Sequence, residues 1–148
     1  MDAVTSAQVT LREVTRDTLW SVLRLDVRED QKKFVASNAV SIAEAYFSSQ
    51  CWFRAVYADE NPVGFVMLHL DEDKPEYWMW RLMIDAAHQR RGYASKAMRY
   101  VIEHVQGLPK AQELFVSYTP GKGNPSPFYR KLGFKETGEW DDGEKVMK

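Results

Sequence analysis

Apolar residues recur most regularly just after Gly92, where Ala94, Ala97, Met98, Val101, Ile102 and Val105 follow the 3.6-residue helical period. That stripe predicts an amphipathic helix, ended by Gly107 and Pro109. Upstream, Val9 to Val14 reads as a strand, and Thr15 is the expected cap of a helix carrying Leu19, Val22 and Leu23. Ser41-Ile42-Ala43-Glu44 has the capping-box form and predicts a second helix starting there, with the polar run Arg28 to Lys33 between the two as loop or helix end. Trp52 to Ala58 and Val63 to Leu70 read as a hairpin about Asp59-Glu60-Asn61-Pro62, and an acidic loop, Asp71 to Glu76, leads to the aromatic strand Tyr77 to Ile84. After the long helix come a strand (Glu113 to Tyr118), a Gly/Pro loop (Pro120 to Asn124) and a short helix (Pro125 to Leu132) stopped by Gly133. A final hairpin, Phe134 to Trp140 and Glu144 to Met147, turns at Asp142-Gly143.

No repeat or linker interrupts this order, so residues 1–148 are expected to form a single α/β domain, one central sheet with helices on both faces. Composition narrows the class. The hydrophobic fraction of 45% and charged fraction of 28% are those of a folded globular chain. The net charge of −1 gives no global excess for a nucleic acid, so the cluster of Arg90, Arg91, Lys96 and Arg99 points to a small anion. A lone Cys51 and three scattered histidines exclude a disulfide framework and a Cys/His zinc cluster. No leader pattern and no membrane-length apolar run is seen, which makes the cytoplasm the expected compartment and a membrane partner unexpected.

The chemistry concentrates where the strand ending at Ile84 runs through Asp85-Ala86-Ala87-His88 into Gln89-Arg90-Arg91-Gly92-Tyr93-Ala94. The first amides of a helix have no partner within it and, with the helix dipole, form an anion site. Gly92 lacks a Cβ and allows close approach, Ala94 keeps the next position small, and the two arginines add positive charge. A phosphate or pyrophosphate suits this turn. Neither a Walker-type GxxxxGK[ST] nor a GxGxxG after the first strand is present, which disfavours ATP-dependent and dinucleotide chemistry.

Gln89-x-x-Gly92-x-Ala94, after a strand and opening a helix, resembles the Q/R-x-x-G-x-G/A signature of the GNAT superfamily of N-acetyltransferases. Phe128-Tyr129-Arg130-Lys131-Leu132-Gly133-Phe134 resembles that family's FYxKLGF segment, and the order of elements agrees over nearly the whole chain. The resemblance implies a mixed, mostly antiparallel sheet and acetyl-CoA as co-substrate, without a metal. It implies that the turn from Gln89, Arg90 and Arg91 through Gly92, Tyr93, Ala94, Ser95 and Lys96 grips the pyrophosphate. The strand backbone of Leu82, Met83 and Ile84 would hold the pantetheine arm, in a splay against the strand Glu113 to Tyr118. Tyr129 is then expected near the sulfur as general acid, since a departing thiolate needs a proton and a phenol carries one at neutral pH; its other reading is packing. Where relatives carry an Asn that contacts the pantetheine, this chain has Lys122, and Asn124 either substitutes or caps the helix after Pro125, the cap being favoured.

The acceptor is less legible. Glu29, Asp30 and Glu76 are candidate bases, each also readable as a solvated charge. Arg28-Glu29-Asp30-Gln31, the Trp80-Arg81-Leu82-Met83-Ile84-Asp85 strand and the ending Asp142 to Met147 resemble bacterial spermine/spermidine (diamine) acetyltransferases. A polyamine would use dispersed carboxylates (Glu29, Asp30, Asp71, Glu72, Asp73, Glu76) and aromatic faces, for which Trp52, Trp78 and Trp80 are available, Glu29 and Trp80 first among these. The expected function is therefore N-acetyl transfer to a small-molecule primary amine. Peptide or protein N-acetylation and non-catalytic acyl-CoA binding are the alternatives. Aromatics on the last hairpin hint at a homodimer.

Overall fold

The computed structural model describes residues 7–148. In chain order it contains β1 (Val9–Arg12), α1 (Leu19–Leu23), a 3-10 helix (Glu29–Phe34), α2 (Asn38–Tyr46), β2 (Cys51–Ala58), β3 (Asn61–Asp71) and β4 (Glu76–Ile84). A short 3-10 turn (Ala86–His88) leads to α3 (Tyr93–Gln106), β5 (Phe115–Tyr118), α4 (Ser126–Lys131), β6 (Glu136–Asp141) and β7 (Glu144–Met147). The strands form one sheet in the order β1-β2-β3-β4-β5-β7-β6, and every neighbouring pair is antiparallel except β4 and β5.

Both faces are covered, as the hydrophobic pattern requires. The stripe of α3 presents Met98, Val101 and Val105 to Val66, Leu68, Tyr77, Met79 and Val116 on one face. On the other, Val22 of α1 and Ile42 and Ala45 of α2 meet Ala55, Phe65, Met67 and Met83. Each large apolar side chain so buried contributes about 1.5–3 kcal/mol of transfer free energy. Gly64 of β3 lies directly opposite Ile84, where a Cβ would run into the Met83 carbonyl and sit 2.8 Å from Ile84 Cδ1, so glycine here lets β4 lie close against β3.

Several boundaries differ from the sequence expectation; β5 and β6, for example, each start two residues later, at Phe115 and Glu136. The second helix begins at Asn38 and is capped by Ser37, whose hydroxyl accepts from Val40 N at 3.2 Å; Ser41 sits one turn inside, fully buried, donating to Ser37 O at 3.0 Å. Ser37 has the extended backbone a cap needs, and tertiary burial draws Ser41 into the helix. The cap position of α1 is Thr18 rather than Thr15: the two threonines bond each other in a preceding turn, Thr15 N donating to Thr18 Oγ1 at 2.9 Å. β1 stops at Arg12, whose guanidinium turns to Glu60 in the β2–β3 turn at 2.9 Å. The undecided stretch 28–33 resolves mostly as the 3-10 helix. Of the single-domain expectation, residues 1–6 lie outside the described residues.

Candidate active site

The one parallel junction in the sheet makes the site. β4 and β5 pair only at Trp78–Phe115 and Met79–Val116. Immediately beyond, β4 carries a bulge: Met67 faces Arg81 and Leu68 faces Met79, which leaves Trp80 without a cross-strand partner. The strands then part, and a cleft of about 950 Å³ opens between them, walled by Arg81, Leu82, Met83 and Ile84 on one side and Ser117 and Thr119 on the other. Asp85 N donates to Val63 O at 2.8 Å, which fixes the alternation along β4. Leu82 and Ile84 therefore turn their backbone groups away from β3, toward the open edge. One of these groups is occupied, because Gln89 Nε2 donates to Ile84 O at 2.9 Å.

The start of α3 borders the cleft. Arg90 (φ 63°) and Gly92 (φ 79°) are both left-handed, flanking an ordinary Arg91, an arrangement that gathers successive amides into an anion-binding concavity. Gly92 is the cap of α3, and the amides of Gly92, Tyr93, Ala94 and Ser95 have no backbone acceptor among the described residues. Gln89, Arg90, Gly92, Ala94 and Ser95 line the cleft. Tyr93 also borders it, but its side chain is buried in the core with Val9, Ile84 and Ala97. Arg91 and Lys96 do not line the wall, and Lys96 Nζ reaches Ala7 O at 3.5 Å. The steric argument for Gly92 gains a second part: its backbone angle itself demands glycine, whereas a Cβ there would meet nothing within 4 Å.

Gln89 does more than its place in a signature suggests. Its amide exchanges hydrogen bonds with Gln31, Gln89 Nε2 donating to Gln31 Oε1 at 2.9 Å, and its oxygen accepts from Arg28 Nη1 at 2.9 Å. The 3-10 helix Glu29–Phe34, which supplies Gln31, Lys32, Lys33 and Phe34 to the cleft, is thereby tied to the turn.

Tyr129 lines the same cleft. It is 7% exposed, wedged between the rings of Phe128 and Phe134 at 5.7 and 5.8 Å. Its hydroxyl has no hydrogen-bond partner among the described residues, yet no enclosed side-chain polar atom there lacks one, so the hydroxyl opens onto the cleft it lines. Burial, reinforced by the nearby Glu144 carboxylate, pushes the phenol well above its ordinary pKa, and it keeps its proton at neutral pH. Asn124 is outside the wall: Asn124 Oδ1 accepts from Ser126 N at 2.8 Å and its Nδ2 donates to Gly121 O at 2.6 Å, the bonds of a residue that caps the approach to α4.

The expected acceptor residues separate. Trp80, 41% exposed and stacked on His69 at 4.4 Å, lines the cleft. Glu29 does not and pairs with Lys32 at 2.9 Å, Asp30 pairs with Arg28, and Glu76 accepts from Trp78 Nε1 at 2.9 Å. Asp71, Glu72 and Asp73 sit at the β3–β4 turn, Trp52 stacks on His104, and Trp78 stacks on Phe115, all away from the cleft wall. The carboxylates that do line it are Glu44, Asp141, Asp142 and Glu144. Sequence reasoning passed over them because each depends on long-range pairing: Glu44 is fixed by Arg81 at 2.9 Å, and Glu144 reaches Ser117 through the β5–β7 ladder. The hairpin signal at Asp142-Gly143 was the one local clue. Among the described residues no group of three or more His, Cys, Asp or Glu could hold a metal ion, and no helix is long and apolar enough to cross a membrane.

A sheet splayed at its parallel junction, beside a helix that presents free amides, is the architecture of an acyltransferase of coenzyme A. The Acetyltransferase (GNAT) family matches residues 14–134, and the chain belongs to that family. It is an acetyl-CoA-dependent acetyltransferase. It is similar to spermine/spermidine N(1)-acetyltransferase of Bacillus subtilis (strain 168), 29% identical over 94% of this chain and 96% of the relative. In fold it is similar to an aminoglycoside acetyltransferase in complex with coenzyme A (TM-score 0.76, 17% identity, 95% of this chain and 93% of the other). It is also similar to the PaiA N-acetyltransferase of Thermoplasma acidophilum in complex with coenzyme A (TM-score 0.63, 16% identity, 95% and 97%).

Proposed function

We propose that this enzyme acetylates a primary amine of a small polycation of the spermidine/spermine class. The observation that carries the reading is the lining of one continuous cleft, which brings the free helix amides and Arg90 together with the carboxylates Glu44, Asp141, Asp142 and Glu144. The similarity to a spermine/spermidine acetyltransferase supports the same acceptor class.

In this reading the amides from Gly92 to Ser95, with Arg90 and the adjacent Arg91 and Lys96, hold the diphosphate of acetyl-CoA. The cleft-facing backbone of Leu82 and Ile84, flanking Met83, hydrogen-bonds the pantetheine arm. Acetyl-CoA supplies an activated acyl group whose leaving group is a thiolate. Tyr129, holding its proton under the influence of burial, delivers that proton to the sulfur. Trp80 offers its face to an ammonium group, and the carboxylates attract the polycation into the cleft. Glu29, paired and outside the wall, acts only at long range, and Asn124 positions the loop before α4.

Thiol release measured over spermidine, spermine, single amino acids and an N-terminal peptide tests the reading. Spermidine or spermine is expected to give the highest kcat/KM. Preference for the peptide contradicts the acceptor assignment, and coenzyme A binding without transfer to any amine reduces the chain to a binding module. Tyr129→Phe is expected to lower kcat by about 10²-fold while coenzyme A still binds; unchanged turnover contradicts the acid role.

A further inference from the structure

We infer that Glu144 is the catalytic base, the group that takes the proton from the acceptor ammonium. This rests on the amine-acceptor reading and names the residue that reading lacks. Of the four carboxylates on the cleft, Glu44 is held by Arg81 through two hydrogen bonds of 2.9 and 3.2 Å, and Asp141 and Asp142 are exposed at the tip of the β6–β7 hairpin. Glu144 is half-buried and has no ion pair among the described residues. Ser117 of β5 donates to its Oε1 at 2.7 Å, which orients the carboxylate and leaves Oε2 available to the cleft.

A second, independent group points into the same space. Tyr129, more than nine-tenths buried, aims a hydroxyl without a partner at this wall from α4, close enough for Glu144 to act on it electrostatically. Near Glu144 stand Ser117 from β5, Tyr129 from α4, Asp141 directly across the hairpin and Asp142 in its turn, while Lys145, next to it in β7, lies over the Trp140 ring at 5.7 Å. No cation among the described residues forms an ion pair with Glu144, so an ammonium can take that place. A carboxylate to accept a proton beside a phenol that holds one is the division of roles acyl transfer to an amine requires.

The step balances. One ammonium proton passes to Glu144, and the freed nitrogen lone pair forms the C–N bond to the acetyl carbon. As the C–S bond breaks, sulfur takes its electron pair and the Tyr129 proton. The phenolate recovers a proton from the acylated nitrogen, and Glu144 releases its proton to solvent, so one proton is lost per turnover.

Glu144→Gln keeps the shape and the acceptor atom for Ser117 and removes the base. Its kcat/KM for spermidine is expected to fall by about 10²–10³-fold near neutral pH. The deficit should shrink toward about pH 10, where the amine arrives already neutral. Coenzyme A affinity should be unchanged, and Ser117→Ala should lose about 10-fold or less with the wild-type pH shape. A Glu144→Gln deficit constant across pH, or matched by an equal loss of coenzyme A affinity, overturns the base assignment. A wild-type protein inert toward every amine overturns the acceptor reading, and this one with it.

Discussion

His104 illustrates how a single side chain in this fold is set by its neighbours. It lies on α3 stacked on Trp52 at 4.4 Å, and the Arg54 guanidinium also lies over the Trp52 ring, at 4.3 Å. Desolvation first, and the Arg54 charge second, lower its pKa below the ordinary 6.5. The unfolded chain therefore takes up a proton here at a pH where the folded chain does not. The neutral histidine's contribution is fully present above about pH 6.5 and is lost as pH falls toward the depressed folded value. His104→Gln is expected to show a shallower fall in Tm between about pH 7.5 and about pH 5 than the wild type. Parallel curves would contradict the shift. Tyr129 obeys the same physics with a shift of the opposite sign, because its neutral form is the protonated one and burial retains that proton.

Among the elements, α3 was the most legible, because six apolar positions at one period leave little freedom and the turn before it carries its own chemistry. The start of α2 was not, because Ser37 and Ser41 are both competent caps and only burial of Ser41 decides between them. The β4 bulge at Trp80 has no local mark at all; it appears only when β3 is laid against β4. The 3-10 helix Glu29–Phe34 is likewise a product of long-range contact, since the Gln31–Gln89 amide pair spans 58 residues of sequence. That pair makes a prediction about the element. Gln31→Ala removes hydrogen bonds worth about 0.5–1.5 kcal/mol each and frees the 3-10 helix from the coenzyme turn. Coenzyme A affinity is expected to fall by about 3- to 10-fold with a small change in Tm, read by titration calorimetry and thermal melting. Unaltered affinity would show that the turn stands without this support.

The molecule as a whole is nearly neutral, yet its cleft is not uniform. The net charge of −1 conceals a cationic turn at the start of α3 and an acidic rim contributed by α2 and the β6–β7 hairpin, joined by the gap between β4 and β5. The half proposed for the coenzyme lies in one contiguous stretch, residues 82 to 96, because a strand, a turn and a helix start are neighbours in sequence. The half proposed for the acceptor is assembled from α2, β4, β5, α4 and the terminal hairpin, and the acidic runs conspicuous in the sequence fold away from the cleft. Everything proposed for this enzyme depends on the left-handed turn at Arg90 and Gly92 holding a diphosphate. Calorimetric titration of coenzyme A into the wild type and into Gly92→Val tests it most directly. The wild type should bind one equivalent, and the variant should bind at least about 10-fold more weakly than its loss of folding stability explains. Equal binding by both proteins would contradict the account.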